Sequence, residues 1–165
     1  MNNAEESCPE IPINAQMDPK YDTAIIALGW FWHPQRDYQQ MEGVAQVIVG
    51  YTGGEMLDPT YQNIKDATEA VLIEYDPALI SYETILNEWS NLHYPFRMQN
   101  SQYRSAIFAK NAEERIIAEK VVEELGASKG VKVYTDVEEA GAFYRAEEYH
   151  QDFLNKQATS RSSYF

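Results

Sequence analysis

The chain has 165 residues, of which 44% are hydrophobic and 24% charged, as expected for one globular domain that can bury a core of its own. Its 13 basic and 26 acidic residues give a net charge of −13, which excludes a surface for DNA or RNA and disfavours binding to anionic membranes. The single cysteine, Cys8, excludes an internal disulfide, and no apolar run is long enough to span a membrane. Together with a polar, acidic start that predicts no signal peptide, these features indicate a cytoplasmic protein.

The first half of the chain predicts an irregular arm, three strands and one helix. Residues 1–20 show no hydrophobic period and are expected to form the N-terminal arm. The apolar run 23–28 predicts a buried strand, and Pro34 predicts a short helix that ends near Gly43. The alternating, β-branched segments 44–51 and 70–75 predict two further strands.

The second half predicts two well-delimited helices and a strand between them. Ser81 is expected to cap a helix whose apolar face includes Trp89. Residues 105–109 predict a strand, and Asn111 is expected to cap the next helix, with Glu114 in capping-box position. Gly126 is expected to end that helix.

The remaining segment predicts one more strand, a short helix and a polar tail. The strand is expected at 131–135, the helix at 146–155 and the tail at 157–165, while the acidic stretch 136–152 is expected to be a solvated face. Alternation of strands and helices predicts a two-layer α/β or α+β sandwich. The predicted organisation is therefore an arm, a single domain over 21–156 and a tail.

Seven groups of motifs follow one another along the chain. The first four groups are Gly29-Trp30-Phe31-Trp32, Val49-Gly50-Tyr51-Thr52-Gly53-Gly54, Pro59-Thr60-Tyr61, and Glu69-Ala70-Val71 with Tyr75-Asp76-Pro77. The last three groups are Ile80-Ser81-Tyr82, Gln102-Tyr103-Arg104-Ser105-Ala106-Ile107, and Phe143-Tyr144 followed by Ala146-Glu147-Glu148-Tyr149-His150-Gln151. In this order they resemble the peptide methionine sulfoxide reductase A family over about residues 22–156. The resemblance implies a two-layer α/β plait.

Three positions depart from the pattern of that family. The position of its nucleophilic cysteine is Trp30, the position of its proton-donating Glu is Asn63, and the position of an Asp that helps to build its pocket is Tyr94. Reduction of a methyl sulfoxide needs a thiolate and an acid that protonates the departing oxygen. An indole and an amide supply neither. The chain therefore resembles a degenerate member of the family, and the substitutions predict that it does not reduce sulfoxides at this site.

The part of the site that binds substrate in the family is retained. The resemblance implies that Phe31 and Trp32 cradle a methyl group and that Tyr51 and Tyr103 donate hydrogen bonds to a sulfoxide oxygen. The pocket is then either open, as an aromatic site with Glu69 as a candidate carboxylate, or plugged by the indole. The candidate ligand-binding residues are Trp30, Phe31, Trp32, Tyr51, Asn63, Tyr94, Tyr103 and Tyr149.

Three hypotheses for function remain open. The first is a non-catalytic protein that binds a small thioether, a sulfoxide, a methylated cation or a methionine-containing peptide. The second is an enzyme that reuses the pocket, either with His33, Tyr51, Tyr94 and Tyr103 or as a sulfoxide reductase that uses Cys8. The third is an interaction protein with a closed pocket.

No cofactor is indicated. His33, His93 and His150 are a weak signal for a metal, and none is predicted. The alternative role for Cys8 is that of an inert thiol on a mobile arm. The oligomeric state is left open.

Overall fold

Twelve elements make up the described part of the chain, which comprises residues 8–11, 13, 20–55 and 57–162 of a computed structural model. The strands are β1 Glu10–Ile11, β2 Asp22–Leu28, β3 Val44–Thr52, β4 Thr68–Tyr75, β5 Ser105–Ala109, β6 Thr135–Glu139 and β7 Phe143–Arg145. The helices are α1 Trp32–Gln39, α2 Tyr82–Leu92, α3 Ala112–Lys129 and α4 Phe153–Ser162, and a 3₁₀ turn spans Glu148–His150.

The strands form one sheet in the order β1-β7-β3-β4-β2-β5-β6. Every neighbouring pair is antiparallel except β5 and β6, which are parallel. Along β2, Ala24 and Ile26 belong to the core that contains the α2 residue Trp89, while Ile25 and Ala27 belong to a second buried cluster. Because successive side chains of a strand point to opposite faces, the sheet has a core on each side. The predicted two-layer α/β architecture is confirmed.

Two predicted helix caps are present. Ser81 Oγ accepts a hydrogen bond from the Thr84 amide at 3.1 Å, and Asn111 Oδ1 accepts one from the Glu114 amide at 2.9 Å. The predicted end of α3 at Gly126 is wrong, because the helix continues to Lys129. Gly130 caps it instead with a left-handed φ of 65°, which a residue without Cβ adopts at little cost.

The strand predicted at 131–135 is also wrong, because β6 begins at the last residue of that segment. Part of the acidic stretch expected to be a solvated face is therefore an edge strand. Arg104 forms ion pairs with Asp136 and Glu138, which offsets the low β propensity of acidic residues. The helix predicted at 146–155 is replaced by the 3₁₀ turn and by α4.

The ends of the chain differ from the predicted arm and tail. Glu10 and Ile11 form β1, which pairs with Tyr144 and Phe143 of β7, whereas most of the predicted arm lies outside the described residues. The backbone of α4 extends to Ser162, so the beginning of the predicted tail is helical. No helix in the described ranges combines the length and apolar character that a membrane span requires.

Candidate functional site

Glu147 is the centre of a buried group of hydrogen-bond donors. Glu147 comes shortly after strand β7 in the chain, and only 6% of the residue is exposed. Oε1 accepts hydrogen bonds from Cys8 Sγ at 2.9 Å and from the Tyr61 amide at 3.0 Å, and Oε2 accepts one from the Tyr51 hydroxyl at 3.0 Å. Burial raises the pKa of the Glu147 carboxyl, but these donors outweigh it and hold the pKa below its usual value. Glu147 is therefore a stabilised buried anion.

Cys8 is part of this group and does not lie on a loose arm. The residue is 5% exposed, and the next residue, Pro9, accepts a hydrogen bond from the Arg145 amide at 2.9 Å. The pairing of β1 with β7 thus holds the thiol beside Glu147. The expectation of an inert cysteine on a mobile arm is wrong with respect to its position.

His150 joins the same group through an aromatic contact network. Its Nδ1 accepts a hydrogen bond from Trp32 Nε1 at 3.1 Å, so the neutral ring carries its proton on Nε2. Nε2 lies 3.4 Å from Glu147 Oε2, and burial lowers the pKa of the imidazole. We call this group the Glu147 cluster; its members are Cys8, Phe31, Trp32, Tyr51, Tyr61, Glu147, Tyr149 and His150.

A second buried carboxyl group, that of Glu69, has a different environment. Glu69 Oε2 accepts a hydrogen bond from Gln102 Nε2 at 2.7 Å. Burial raises the pKa of Glu69 to about 7, and the charge of Glu147 adds to this, while Gln102 and the Phe31 amide act in the opposite direction. Glu69 can therefore hold or release a proton at neutral pH. Pairs of buried carboxyl groups whose pKa values are shifted apart often occur at functional sites.

An open cavity of about 390 Å³ lies beside Trp30. The indole is 52% exposed, and its ring centroid lies 6.4 Å from that of Tyr103 in an edge-to-face arrangement. Tyr94, Arg97 and His93 also line this space, which we call the Trp30 cavity. Trp30 therefore forms a wall of an open cavity.

The imidazole of His93 is a neutral part of that wall. Its Nδ1 donates to the Trp89 carbonyl oxygen at 2.8 Å, and its Nε2 accepts from Ser105 Oγ at 2.7 Å. Burial lowers the pKa of His93 to about 4. Both ring nitrogens are thus satisfied in the uncharged form.

The structure divides the candidate residues between these two places. Trp30, Tyr94 and Tyr103 line the Trp30 cavity, whereas Phe31, Trp32, Tyr51 and Tyr149 belong to the Glu147 cluster. Gln102 connects the Trp30 cavity to Glu69, because its Nε2 donates both to Glu69 Oε2 and to the Tyr103 hydroxyl at 3.0 Å. The two places also touch directly, since the ring centroids of Trp30 and Trp32 lie 5.1 Å apart.

Among the described residues, Asn63 makes none of the contacts that define these two places. It is exposed, and its amide donates to Thr60 Oγ1 at 3.1 Å in a turn. The three histidines have different partners: His33 contacts Arg36 on the exposed side of α1, His93 lines the Trp30 cavity, and His150 belongs to the Glu147 cluster. In the described ranges, no three His, Cys, Asp or Glu side chains form a group suited to a metal ion.

The geometry can be compared with that of known proteins. The family model described as peptide methionine sulfoxide reductase matches residues 22–165.

The chain belongs to the peptide methionine sulfoxide reductase family.

Relatives named peptide methionine sulfoxide reductase MsrA include one from Nitratiruptor sp., 36% identical over 144 residues, which are 81% of this chain and 83% of the relative. Another, from Saccharolobus solfataricus, is 37% identical over 145 residues, 82% of each. Among solved structures, reduced Mxr1 from Saccharomyces cerevisiae superposes with a TM-score of 0.80 at 28% identity, covering 86% of this chain and 88% of that one. Mxr1 in complex with Trx2 superposes with a TM-score of 0.60 at 26% identity, covering 84% and 89%. The family and the fold are thus those that the motifs predict.

Proposed function

We propose that this member of the family binds a small ligand with a thioether or sulfoxide group, free or in a methionine-containing peptide, and does not reduce it by the family's mechanism. The observation that carries the proposal is the indole of Trp30. It stands at the position that the family resemblance assigns to the nucleophile, and it lines an open cavity. An open site beside a position that lacks the nucleophile is what a binding protein without this chemistry requires.

The chemical part of the proposal follows from the side chains at two positions. Trp30 has no nucleophilic sulfur, and an indole offers only an N–H donor. Asn63 has no acidic proton at neutral pH, and its side chain is exposed. Members of one catalytic unit do not act independently, so the loss of both nucleophile and acid removes the mechanism as a whole.

The binding part follows from the walls of the Trp30 cavity. A space of about 390 Å³ is within the range of small-molecule sites, which are mostly apolar with a few placed polar groups. Trp30 and Tyr94 provide aromatic surface, and Tyr103 adds a phenol. Such walls suit the methyl and sulfur of a thioether, since sulfur makes favourable contacts with aromatic rings.

One observation favours a second candidate, a sulfoxide reductase that uses Cys8. The thiol lies in the same cluster as Tyr51, and Glu69, with a pKa of about 7, is a possible acid. In such a reaction the Cys8 thiolate would take the sulfoxide oxygen, Glu69 would supply the proton, and a sulfenic acid and a thioether would form. An external dithiol would then reduce the sulfenic acid to the thiol and water.

The other enzyme hypothesis has less support. His33 does not line the Trp30 cavity and instead contacts Arg36 on the exposed side of α1. The Tyr51 hydroxyl is buried and donates a hydrogen bond to the Glu147 carboxylate. A catalytic group made of His33, Tyr51, Tyr94 and Tyr103 would therefore need residues that the fold assigns to different surroundings.

The test is a single-turnover assay with methionine-S-sulfoxide and excess dithiothreitol. We compare the wild type, Cys8→Ser and the double variant Trp30→Cys/Asn63→Glu, and we measure binding of methionine sulfoxide by tryptophan fluorescence in parallel. The proposal expects binding without turnover in the wild type and turnover in the double variant. Turnover in the wild type that is lost in Cys8→Ser would establish the second candidate, and absence of binding would refute the proposal.

A further inference from the structure

We infer that the Trp30 cavity selects ligands that carry a carboxylate, with Arg97 as the residue that recognises it. The inference rests on the proposed function and narrows its ligand to a thioether or sulfoxide that carries a carboxylate. The charges of the residues that line the Trp30 cavity support it. Among the described residues that line the cavity, Arg97 alone carries a permanent charge.

Arg97 is the charged group of this wall because burial lowers the pKa of the His93 imidazole to about 4, so that His93 is neutral at pH 7. Nδ1 donates to the Trp89 carbonyl oxygen, and Nε2 accepts from Ser105 Oγ. This arrangement satisfies both ring nitrogens of the neutral imidazole. The Ser105 hydroxyl also contacts Thr135 Oγ1 at 2.9 Å, so the arrangement is held from β6 as well.

Arg97 is available to a ligand. Its side chain is exposed, and within the described ranges it forms neither an ion pair nor a side-chain hydrogen bond. This is notable in a chain with 26 acidic and 13 basic residues, where a guanidinium readily finds a carboxylate. The planar fork of a guanidinium matches a carboxylate with two parallel hydrogen bonds.

The same charges argue against a methylated cation. Aromatic faces attract cations, but none of the described residues that line the Trp30 cavity is Asp or Glu, and the guanidinium of Arg97 repels a second positive charge. At position 94, where the resemblance implies an acidic residue, the chain has Tyr94. The local charge of the site is therefore positive, although the net charge of −13 opposes anions at long range.

The experiment uses matched small probes and the whole chain. Calorimetry and tryptophan fluorescence measure the binding of N-acetyl-L-methionine, of its methyl ester and of the trimethylsulfonium cation. We expect the acid to bind about tenfold more tightly than the ester, as a charge-assisted pair of hydrogen bonds provides, and we expect the sulfonium to bind least. Arg97→Gln should make acid and ester bind equally, while Arg97→Lys should keep part of the preference.

Two control variants separate the inference from the proposed function. Arg115→Gln removes the same charge from an exposed position on α3, where Arg115 pairs with Glu119, and should keep the preference for the acid. Trp30→Ala should weaken binding of acid and ester alike. Equal binding of acid and ester by the wild type would overturn the role of Arg97 and leave the proposed function standing. If no probe binds, both are wrong.

Discussion

The Cys8 thiol and the Glu147 carboxylate are 139 residues apart in the chain and lie 2.9 Å apart in the fold. A thiol is a weak hydrogen-bond donor, and here it points to an anion that also binds the Tyr51 hydroxyl and the Tyr61 amide. The thiol is therefore both shielded from solvent and oriented. The first prediction concerns Cys8, the second and third concern the carboxyl groups of Glu147 and Glu69, and the fourth concerns the backbone that supports the cluster.

The first prediction concerns the reactivity of Cys8. Because the residue is 5% exposed, we expect Ellman's reagent to modify the native protein at least about a hundredfold more slowly than the urea-unfolded chain. Rapid modification of the native protein would contradict the buried position.

The replacement of Cys8 tests the hydrogen bond itself. Cys8→Ser keeps a donor to Glu147, whereas Cys8→Ala removes it and leaves a small space. We expect the alanine variant to lose about 1 kcal/mol more of the free energy of unfolding than the serine variant, measured by urea denaturation at pH 7.

The second prediction concerns the charge of Glu147. Its pKa is lowered in the folded protein, so its contribution to stability is present above the ordinary pKa of the unfolded chain and is lost as the pH falls through the folded value. Glu147→Gln should lower the free energy of unfolding by about 2 kcal/mol at pH 7. The difference from the wild type should shrink towards pH 3, and a difference that stays constant with pH would contradict the lowered pKa.

The third prediction concerns Glu69. Whereas ionisation of Glu147 raises the free energy of unfolding, that of Glu69 lowers it. Its folded pKa of about 7 lies above the ordinary value of 4.5, so the buried carboxyl destabilises the fold increasingly as the pH rises from 5 to 8. The full penalty is about 3 kcal/mol, from 1.36 kcal/mol for each unit of pKa. Glu69→Gln should therefore gain stability relative to the wild type over this range.

Thermal and urea unfolding of wild type and Glu69→Gln at several pH values measure this difference. Glu123→Gln, on the exposed side of α3, is the control with the same chemical change. Parallel stability curves for wild type and Glu69→Gln would show that the carboxyl keeps its ordinary pKa.

Part of this site can be predicted from the sequence, because the motifs indicate which side chains surround it. Phe31, Trp32 and Tyr51 are expected at the site and occur together in the Glu147 cluster. The contact of Cys8 with this cluster could not be predicted, since no hydrophobic period or spacing connects the start of the chain to residue 147. Only the pairing of β1 with β7 brings the two together.

The orientation of Trp30 is a second feature that sequence does not determine. An indole at that position can turn towards the core or towards solvent, and the choice depends on the space left by its neighbours. The strand at 135–139 is missed for a related reason, since Asp and Glu have low strand propensity. Contacts with Arg104 and parallel pairing with β5 override that propensity.

The fourth prediction concerns the close approach of β3 and β7 at Gly50. A Cβ at this position would overlap the Tyr144 carbonyl oxygen and lie 2.5 Å from the Phe143 ring. Gly50→Ala should therefore separate the two strands and lower the free energy of unfolding by about 2–3 kcal/mol. Because β7 leads directly into Glu147, the variant should also expose Cys8 to Ellman's reagent.

Gly141→Ala is the matched control for this substitution. A Cβ at Gly141 meets no heavy atom within 4 Å, so the same chemical change should leave stability within about 0.5 kcal/mol of the wild type. Equal effects of the two substitutions in urea denaturation would contradict the steric explanation.

The acidic strand β6 has a consequence for how these molecules meet in solution. It forms one edge of the sheet, and the edge of a sheet is where strands of other chains can add. Its carboxylates are Asp136, Glu138 and Glu139, and Arg104 balances only part of their charge. A second copy that approached edge to edge would bring two rows of negative charge together. The residues that give β6 a low intrinsic strand propensity thus disfavour the pairing of two copies along this edge.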